Sequence, residues 1–197
     1  MAPAFEQVPQ DTETQTEAPH KASNTVNNDA QVDYKSRVTV VGSGNWGSVA
    51  AKLIASNTLK LNSFHGAYRY PDLENAVKDA NLLVFVNPHQ FMEGICKRLV
   101  GKVREDGEAI SLIKGMEVKM EGPCMISTLI TEQLGINCSV LMGANIANEI
   151  AVEKFSEATV GYRDKRDIAE QWVRLFCTPY FIVTPVQDVE GVELCAR

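Results

Sequence analysis

The sequence has 197 residues, of which 19 are basic and 25 acidic, giving a formal net charge of −6 at pH 7. A chain of this length suits one domain of ordinary size, because about 160 folded residues bury roughly 70% of the surface that the unfolded chain exposes. The charge balance excludes the broad basic face typical of nucleic-acid-binding proteins. No apolar run approaches the about 18 residues of a membrane-spanning helix, so we expect no membrane span.

Residues 1–34 differ in composition from the rest of the chain. Residues 1–33 contain six acidic residues and one basic residue, whereas the remainder is close to neutral. Such a polar segment has too little apolar surface to offset the entropy of ordering it, so we expect a disordered acidic tail. It lacks the features of a signal or transit peptide, and the five cysteines are widely spaced. We therefore expect reduced thiols, no metal centre and a cytosolic location.

The stretch from residue 37 to residue 47 combines a strand, a glycine turn and the start of a helix. Strand-forming residues run into Gly42-x-Gly44-x-x-Gly47, and apolar residues then recur at helical spacing from Trp46 onward. In a dinucleotide-binding fold the three glycines permit the sharp turn, the approach of a pyrophosphate and the close packing of helix on strand. The free N–H groups of the helix N-terminus would face the phosphates. The predicted cofactor-binding residues of the turn are Gly42, Ser43, Gly44, Asn45, Trp46 and Gly47.

Two alternatives compete with this interpretation of the turn. Residues 42–49 also fit the phosphate loop of protein kinases, but that loop joins two strands, whereas helical periodicity follows Gly47 here. No H-R-D or D-F-G sequence occurs further along the chain. The other alternative is a glycine turn that binds nothing, and the strand and helix that flank the turn argue against it.

The segment after the first helix is short for a dinucleotide-binding fold. Such a fold has a second strand here, ending in an acidic residue about 20 residues beyond the glycines that holds the ribose hydroxyls. Residues 64–67 occupy that place without an acid, and only 67–70 is left as a short strand. We therefore expect one strand to be missing or shortened, with His65 in a solvated loop. Asp72 is expected in the first turn of a helix that ends at residue 80.

The rest of the chain alternates between predicted strands and helices. Strands are expected at 81–86, 109–113, 139–142, 158–162 and 180–184, and helices at 89–100, from Pro123 to Gly135, and from the cap Asp164 to Pro179. Alternation of this kind predicts an α/β protein with a mostly parallel sheet.

Polar residues directly follow three of the predicted strands. They are Asn87 with His89, Lys114 beside Gly115, and Asn145. Open α/β sheets bind ligands at the carboxyl ends of their strands, so we expect these residues near the glycine turn. Lys114 either hydrogen-bonds a substrate oxygen and stabilises negative charge that develops there, or is a solvated surface residue. For His89 a helix cap is favoured over a general acid.

Four segments occur in an order that is specific to one family. They are Val41–Ser48 (VGSGNWGS), Pro88–Phe91 (PHQF), Ser111–Gly115 (SLIKG) and Leu141–Ala147 (LMGANIA). In these segments the chain resembles NAD-dependent glycerol-3-phosphate dehydrogenase in its eukaryotic cytosolic, plant-like form. The resemblance runs from about residue 36 to residue 195. It implies a doubly wound Rossmann-type sheet, with hydride transfer between NAD(H) and the pair dihydroxyacetone phosphate and glycerol 3-phosphate.

The resemblance also implies roles for individual residues. The glycine turn would hold the pyrophosphate, and Phe91 would line the cofactor site. Lys114 would contact the substrate, and Ala147 would lie against the nicotinamide half with Asn145 nearby. Residues 35–197 would form the NAD-binding domain. A homodimer and pairing with the full-length enzyme are both expected modes of association.

Two departures from the family pattern bear on activity. Family members carry a longer segment after the first helix, with a second strand of Met-Trp-Val-Phe-Glu type that this chain lacks. The family's catalytic lysine and helical substrate domain come after the segment that ends here at Arg197, so we expect both to be absent. Loss of a general acid alone typically costs about 10²–10⁴-fold in rate. The alternative to an active oxidoreductase is therefore a catalytically inactive NAD-binding or interaction fragment.

Overall fold

The computed structural model describes residues 36–61, 64–65, 72–119, 122–144 and 146–195. The predicted tail over 1–34, the predicted strand over 67–70 and Asn145 lie outside these residues. Within them, no helix combines the length and the apolar character needed to cross a membrane.

The described strands and helices alternate along most of the chain. The strands are β1 (Ser36–Val41), β2 (Phe64–His65), β3 (Leu82–Phe85), β4 (Glu108–Ser111), β5 (Met116–Lys119), β6 (Gly122–Met125), β7 (Asn137–Met142), β8 (Ser156–Gly161) and β9 (Phe181–Val186). The α-helices are α1 (Asn45–Leu61), α2 (Leu73–Lys78), α3 (Met92–Leu99), α4 (Ile126–Leu134), α5 (Ala147–Ala151), α6 (Arg166–Phe176) and α7 (Val189–Cys195), and a 3-10 turn spans His89–Phe91.

Seven of the described strands form one sheet in the order β2-β1-β3-β4-β7-β8-β9. Neighbours from β2 to β7 are parallel, β8 is antiparallel to β7, and β9 is parallel to β8. The chain leaves β1 toward β2 on one side and returns to β3 on the other, so the strand order reverses beside β1. A reversal of this kind opens a crevice at the carboxyl ends of the two strands, and Val41 pairs with Phe85 there.

The sheet has apolar clusters on both faces. Strand β3 is buried throughout, and its side chains alternate between the clusters. Leu82 and Val84 belong to the cluster that contains Leu53 of α1 and Trp172 of α6. Phe85 faces the opposite cluster, which α2, α3 and α4 complete. Helices therefore cover both faces, and the predicted doubly wound α/β fold is confirmed.

Strand β2 is much shorter than its neighbours. Its two residues pair with Ser36 and Arg37 of β1. The predicted shortening of the second strand is therefore confirmed. The prediction that His65 lies in a loop was wrong, because its backbone continues the sheet beside Arg37.

Three predicted helix starts differ from the structure. Pro123 lies in β6, which pairs antiparallel with β5, so α4 begins only at Ile126. Residue Lys165, not Asp164, stands at the N-terminal boundary of α6, and no side-chain cap bond is present there. The region predicted as one helix over 89–100 is a 3-10 turn followed by α3.

Two predicted helix boundaries are confirmed. Gly135 ends α4 in the left-handed conformation, with φ of 69°. Asp72 begins α2, since its Oδ1 accepts a hydrogen bond from the backbone N–H of Glu74 at 3.1 Å. Gly135 acts as the predicted helix cap, whereas Asp72, expected in the first turn, is the N-cap residue just before it.

Candidate cofactor site

Two glycines allow β1 to turn sharply into α1. Gly42 has φ of 130°, and a Cβ there would lie 2.8 Å from Cγ2 of Val86. A Cβ on Gly47 would lie only 2.2 Å from the carbonyl oxygen of Gly42. The helix therefore packs against the turn at a distance that admits no side chain, as the predicted roles of the first and third glycines require.

Gly44 differs from these two glycines, because a Cβ built there meets no atom within 4 Å. The open space in front of it belongs to a cavity of about 680 Å³. The first backbone bond of α1 runs from the N–H of Ser48 to the carbonyl of Gly44 at 2.9 Å. The N–H groups that open a helix have no partner within the helix, so this terminus suits an anion. The first turn carries no acidic residue that would repel one.

The cavity lies at the carboxyl edge of the sheet, where β1, β3 and β4 end. Its lining consists of Gly42, Ser43, Gly44, Asn45, Trp46, Val86, Asn87, Pro88, His89, Phe91, Leu112, Ile113 and Lys114. Three loops from three parallel strands therefore contribute to one concave surface. This is the location that the topology predicts for a ligand.

Asn87, which lines this cavity, carries an unsatisfied polar atom. Its side-chain Oδ1 is buried and has no hydrogen-bond partner among the described residues. An unpaired buried acceptor costs about 1–3 kcal/mol. Phe91 completes the same wall with a side chain that is 57% exposed, an unusual position for a large aromatic ring. The short 3-10 turn, in place of a regular helix, leaves Phe91 at the surface.

Lys114 stands at the far end of the cavity. Its Nζ donates a hydrogen bond to the carbonyl of Gly143 at 2.7 Å, which links the end of β4 to the end of β7. Lys114 also lines a second cavity of about 620 Å³. The other residues that line this second cavity are Met142, Gly143, Ala144, Thr159, Val186, Asp188, Gly191, Val192 and Cys195. Lys114 therefore joins a cavity beside the glycine turn to a second one beside α7.

His89 packs against the loop that holds Lys114. A Cβ on Gly115 would lie 3.0 Å from both Cγ and Nδ1 of the His89 ring. The ring thus occupies the space that a side chain at residue 115 would need. No side-chain cap bond is present at the 3-10 turn that His89 begins, so the favoured prediction of a helix cap was wrong.

The structure brings most of the predicted site residues together. The six residues of the glycine turn, Phe91 and Lys114 all line the first cavity. Ala147 lies apart from this lining, 6% exposed at the start of α5, where it packs in the apolar cluster of α1 and α6. Its proposed contact with a cofactor stays a prediction, as does that of Asn145, which lies outside the described residues.

A buried carboxylate near the second cavity had no counterpart among the predicted residues. Glu193 of α7 is 5% exposed, and its Oε1 accepts hydrogen bonds from the backbone N–H of Ile126 at 2.8 Å and of Ser127 at 3.3 Å. Its Oε2 accepts a further bond from the hydroxyl of Ser127. Glu193 thus caps the N-terminus of α4, although it lies 67 positions after Ile126 and 66 after Ser127 in the sequence. Glutamate at the N-terminus of a distant helix leaves no local sequence signal, which explains why it was missed.

All five cysteines are free thiols. Burial raises the pKa of Cys96 to about 11 and that of Cys138 well above its ordinary value. These two thiols are therefore protonated and unreactive at neutral pH, as expected of cysteines that serve only in packing.

A doubly wound sheet with a glycine turn, an open helix N-terminus and a crevice between its first and third strands defines a dinucleotide-binding domain. The family model described as "NAD-dependent glycerol-3-phosphate dehydrogenase N-terminus" matches residues 63–168, more than half of the chain. The chain belongs to this family.

Curated relatives and solved structures agree with this assignment. A glycerol-3-phosphate dehydrogenase (NAD+) of Cuphea lanceolata is 65% identical over 200 residues, covering 82% of this chain and 54% of its own length. A glycerol-3-phosphate dehydrogenase (NAD+) of Arabidopsis thaliana, whose name describes it as chloroplastic, is 65% identical over 202 residues. The match covers 83% of this chain and 50% of the Arabidopsis protein. The solved structure of glycerol-3-phosphate dehydrogenase from Saccharomyces cerevisiae is 35% identical in sequence, with a TM-score of 0.76. The match covers 82% of this chain and 59% of the yeast chain. The chain spans about half the length of the curated relatives it matches.

The alignments also locate a difference in length within the matched part. The Cuphea alignment covers 200 residues, but 82% of this 197-residue chain is only about 162 residues. About 38 positions of the relative therefore have no counterpart here. This agrees with a β2 of only two residues and with the shorter segment that the sequence predicts after α1.

Proposed function

We propose that this protein is an oxidoreductase that transfers a hydride between NAD(H) and the pair dihydroxyacetone phosphate and glycerol 3-phosphate. The observation that carries the proposal is the first cavity, which lies beside the N-terminus of α1 and is lined by the open face of Gly44, by Asn87 and by Lys114. Names of the curated relatives support the same activity. The alternative, an inactive NAD-binding fragment, shares the cofactor site and differs only in turnover.

The described residues fit a dinucleotide. The N–H groups that open α1 would bind the pyrophosphate, which can approach because Gly44 has no side chain. Asn87 and Phe91, which line the same cavity, would contact the ligand, and Phe91 would cover one side of it. Bound NAD(H) supplies or accepts the hydride, while the protein positions it against the substrate.

Lys114 is proposed to contact the substrate. Lys114 lines both cavities, and its Nζ bonds the carbonyl of Gly143, which lines the second, so a small phosphorylated ketone in the second cavity would place an oxygen near Nζ. A cation at that position stabilises negative charge that develops on the oxygen during hydride transfer. Asn145 and Ala147 are proposed to lie beside the reacting end of the cofactor, as the family resemblance implies.

The domain arrangement and the compartment belong to the same proposal. Residues 35–197 would form the NAD-binding domain, preceded by the acidic segment over 1–34. A cytosolic location is proposed because the thiols are free, with the chloroplast as the competing compartment given the name of the Arabidopsis relative. A C-terminal fluorescent fusion would distinguish the two. Self-association or association with a longer relative is likewise proposed, and analytical ultracentrifugation would test it.

Replacing Gly44 by alanine is expected to weaken NADH binding at least tenfold without loss of stability. The added methyl group meets no protein atom within 4 Å, so folding is unaffected, but it occupies the space that the pyrophosphate needs. Tenfold corresponds to about 1.4 kcal/mol. Calorimetric titration with NADH measures the change.

Gly94→Ala is the matched control for this substitution. A Cβ there also meets nothing within 4 Å, but Gly94 lies in α3, outside the residues that line the first cavity. Its NADH affinity should equal that of the unmodified protein. Equal affinity for NADH in all three proteins would contradict the proposed pyrophosphate site.

Replacing Lys114 by alanine is expected to abolish NADH oxidation driven by dihydroxyacetone phosphate. The side chain is exposed, so the free energy of unfolding should change by no more than about 0.5 kcal/mol. NADH affinity should be retained, because Lys114 would contact the substrate and not the pyrophosphate. Absorbance of NADH follows the reaction. An unmodified protein that binds NADH but shows no oxidation would instead support the inactive-fragment alternative.

A further inference from the structure

The part of the chain that forms β1, α1 and β2 contains no carboxylate. Residues 34–71 include no aspartate or glutamate. The same stretch carries five basic residues, which are Lys35, Arg37, Lys52, Lys60 and Arg69. A dinucleotide-binding unit that selects NAD uses an acidic residue here, which accepts hydrogen bonds from the ribose hydroxyls and repels a 2′-phosphate.

The position of β2 in the sheet accounts for the absence of this acidic residue beside the glycine turn. In this fold the acid stands at the carboxyl end of the second strand, beside the glycine turn. Here the last pair of β2 lies opposite Arg37, four residues before β1 ends at Val41. At about 3.3 Å per residue, the strand stops roughly 13 Å short of that edge. No residue of β2 therefore reaches the level at which the ribose would lie.

The next acids along the chain already have partners. Asp72 accepts from the N–H of Glu74 through Oδ1 and from Nδ2 of Asn75 through Oδ2 at 2.7 Å, so both oxygens hold the start of α2. The carboxylate of Glu74 pairs with Lys102 at 3.6 Å. Asp79 pairs with Arg37 at the opposite, amino edge of the sheet. These three carboxylates serve α2 and its neighbours.

We propose that the cofactor site does not discriminate against a 2′-phosphate, so that it binds NADPH as tightly as NADH. This inference rests on the proposed dinucleotide site and specifies which dinucleotides it takes. Selection against NADPH requires a carboxylate that prefers the free 2′-hydroxyl and repels the phosphate dianion. Residues 34–71 supply no such carboxylate and the described acids of α2 have other partners, so both contributions to selectivity are lost, while the contacts to the pyrophosphate are the same for the two cofactors.

The test is a pair of equilibrium titrations with NADH and NADPH, followed by the fluorescence of Trp46, which lines the cavity. Trp46→Phe assigns the signal, because Trp172 is fully buried in the core. The two Kd values are expected to agree within about threefold, which is less than the tenfold step of 1.4 kcal/mol. Binding of NADH more than about tenfold tighter than NADPH would overturn the inference and leave the proposed function intact. Failure of both nucleotides to bind, checked by calorimetry, would overturn both.

Asp72→Asn tests the carboxylate at the N-cap of α2, which lies toward the carboxyl edge of the sheet. Asparagine caps helices as well as aspartate does, so the fold is preserved while the charge is removed. The ratio of the two Kd values should be the same in this variant as in the unmodified protein. A shift of about tenfold toward NADPH would show that Asp72 selects the cofactor, and would overturn the inference.

Discussion

Replacing Gly47 by alanine is expected to lower the free energy of unfolding by about 3 kcal/mol, the upper end of the range for overpacking. A Cβ there would lie 2.2 Å from the carbonyl oxygen of Gly42 and 2.9 Å from its carbonyl carbon. Both atoms belong to the backbone of a turn whose own φ is 130°, so neither can move without displacing β1 from α1. Urea unfolding, monitored by far-UV circular dichroism, measures the change.

Gly94→Ala again provides the matched control. It adds the same methyl group inside a helix where nothing lies within 4 Å, and the better helix propensity of alanine should stabilise the protein by about 0.5–1 kcal/mol. The two substitutions should therefore change stability in opposite directions. Equal stability of Gly47→Ala and the unmodified protein would contradict the close packing of α1 against the carbonyl group of Gly42.

Replacing Glu193 by alanine is expected to destabilise the protein by about 3 kcal/mol. The substitution leaves the N–H groups of Ile126 and Ser127 and the hydroxyl of Ser127 without their partner in a buried place, and each unsatisfied group costs about 1–3 kcal/mol where water does not replace it. It also releases α7 from α4. Thermal unfolding followed by calorimetry measures the loss.

Glu193→Gln separates the charge of this residue from its hydrogen bonds. Burial raises the pKa of Glu193 above its ordinary value, which favours the protonated form in the folded state. Between the ordinary pKa of glutamate and the raised pKa of Glu193, the folded state binds more protons than the unfolded state. The contribution of Glu193 to the free energy of unfolding therefore falls as pH rises through that interval. The unmodified protein should lose stability relative to Glu193→Gln as pH rises above the ordinary pKa of glutamate. A difference that grows in the opposite direction would contradict the raised pKa.

An exposed glutamate provides the comparison for both variants. Glu170 pairs with Arg166 one helical turn away at 3.0 Å, and both side chains are largely in solvent. An exposed pair of this kind contributes about 0.3–0.5 kcal/mol. Glu170→Ala should therefore alter stability far less than Glu193→Ala does, and comparable effects would refute the capping role of Glu193.

The glycine turn and the buried strands could be predicted because their signals are local. Gly42, Gly44 and Gly47 occur between a strand pattern and a helix pattern, and each of these patterns is complete within about ten residues. Strand β3 is apolar at every position, which is typical of a strand with helices on both faces, and its side chains do alternate between the two apolar clusters.

The features that could not be predicted depend on distant contacts. Pro123 fits the first position of a helix, but pairing with β5 places it in a hairpin strand. Lys165 binds Glu108, 57 positions earlier, in a contact that no local pattern near the start of α6 indicates. Phe91 was expected within a helix over 89–100, whereas it lies in a 3-10 turn, exposed beside the cavity. Local periodicity predicts which face of a helix or strand is buried, but not which distant element packs against that face.

The predicted site could be placed at one edge of the sheet, but its contacts could not. The strand ends place Asn87 and Lys114 near the glycine turn by topology alone. That Asn87 has a buried oxygen without a partner, and that Lys114 binds the carbonyl of Gly143, depends on side-chain conformations set by packing. The lost acid of the second strand was visible in the sequence, and the register of β2 against Arg37 supplies its structural cause.

Amide hydrogen exchange with and without saturating NADH is the most direct test of the dinucleotide site. We expect slower exchange in residues 42–48, where the N–H groups of α1 would bind the pyrophosphate, and in residues 86–91 on the facing wall. Strand β9, at the far edge of the sheet, should exchange at the same rate in both conditions. Protection confined to other parts of the chain, or unchanged exchange in 42–48 while NADH is bound, would contradict the assignment of the glycine turn as the cofactor site.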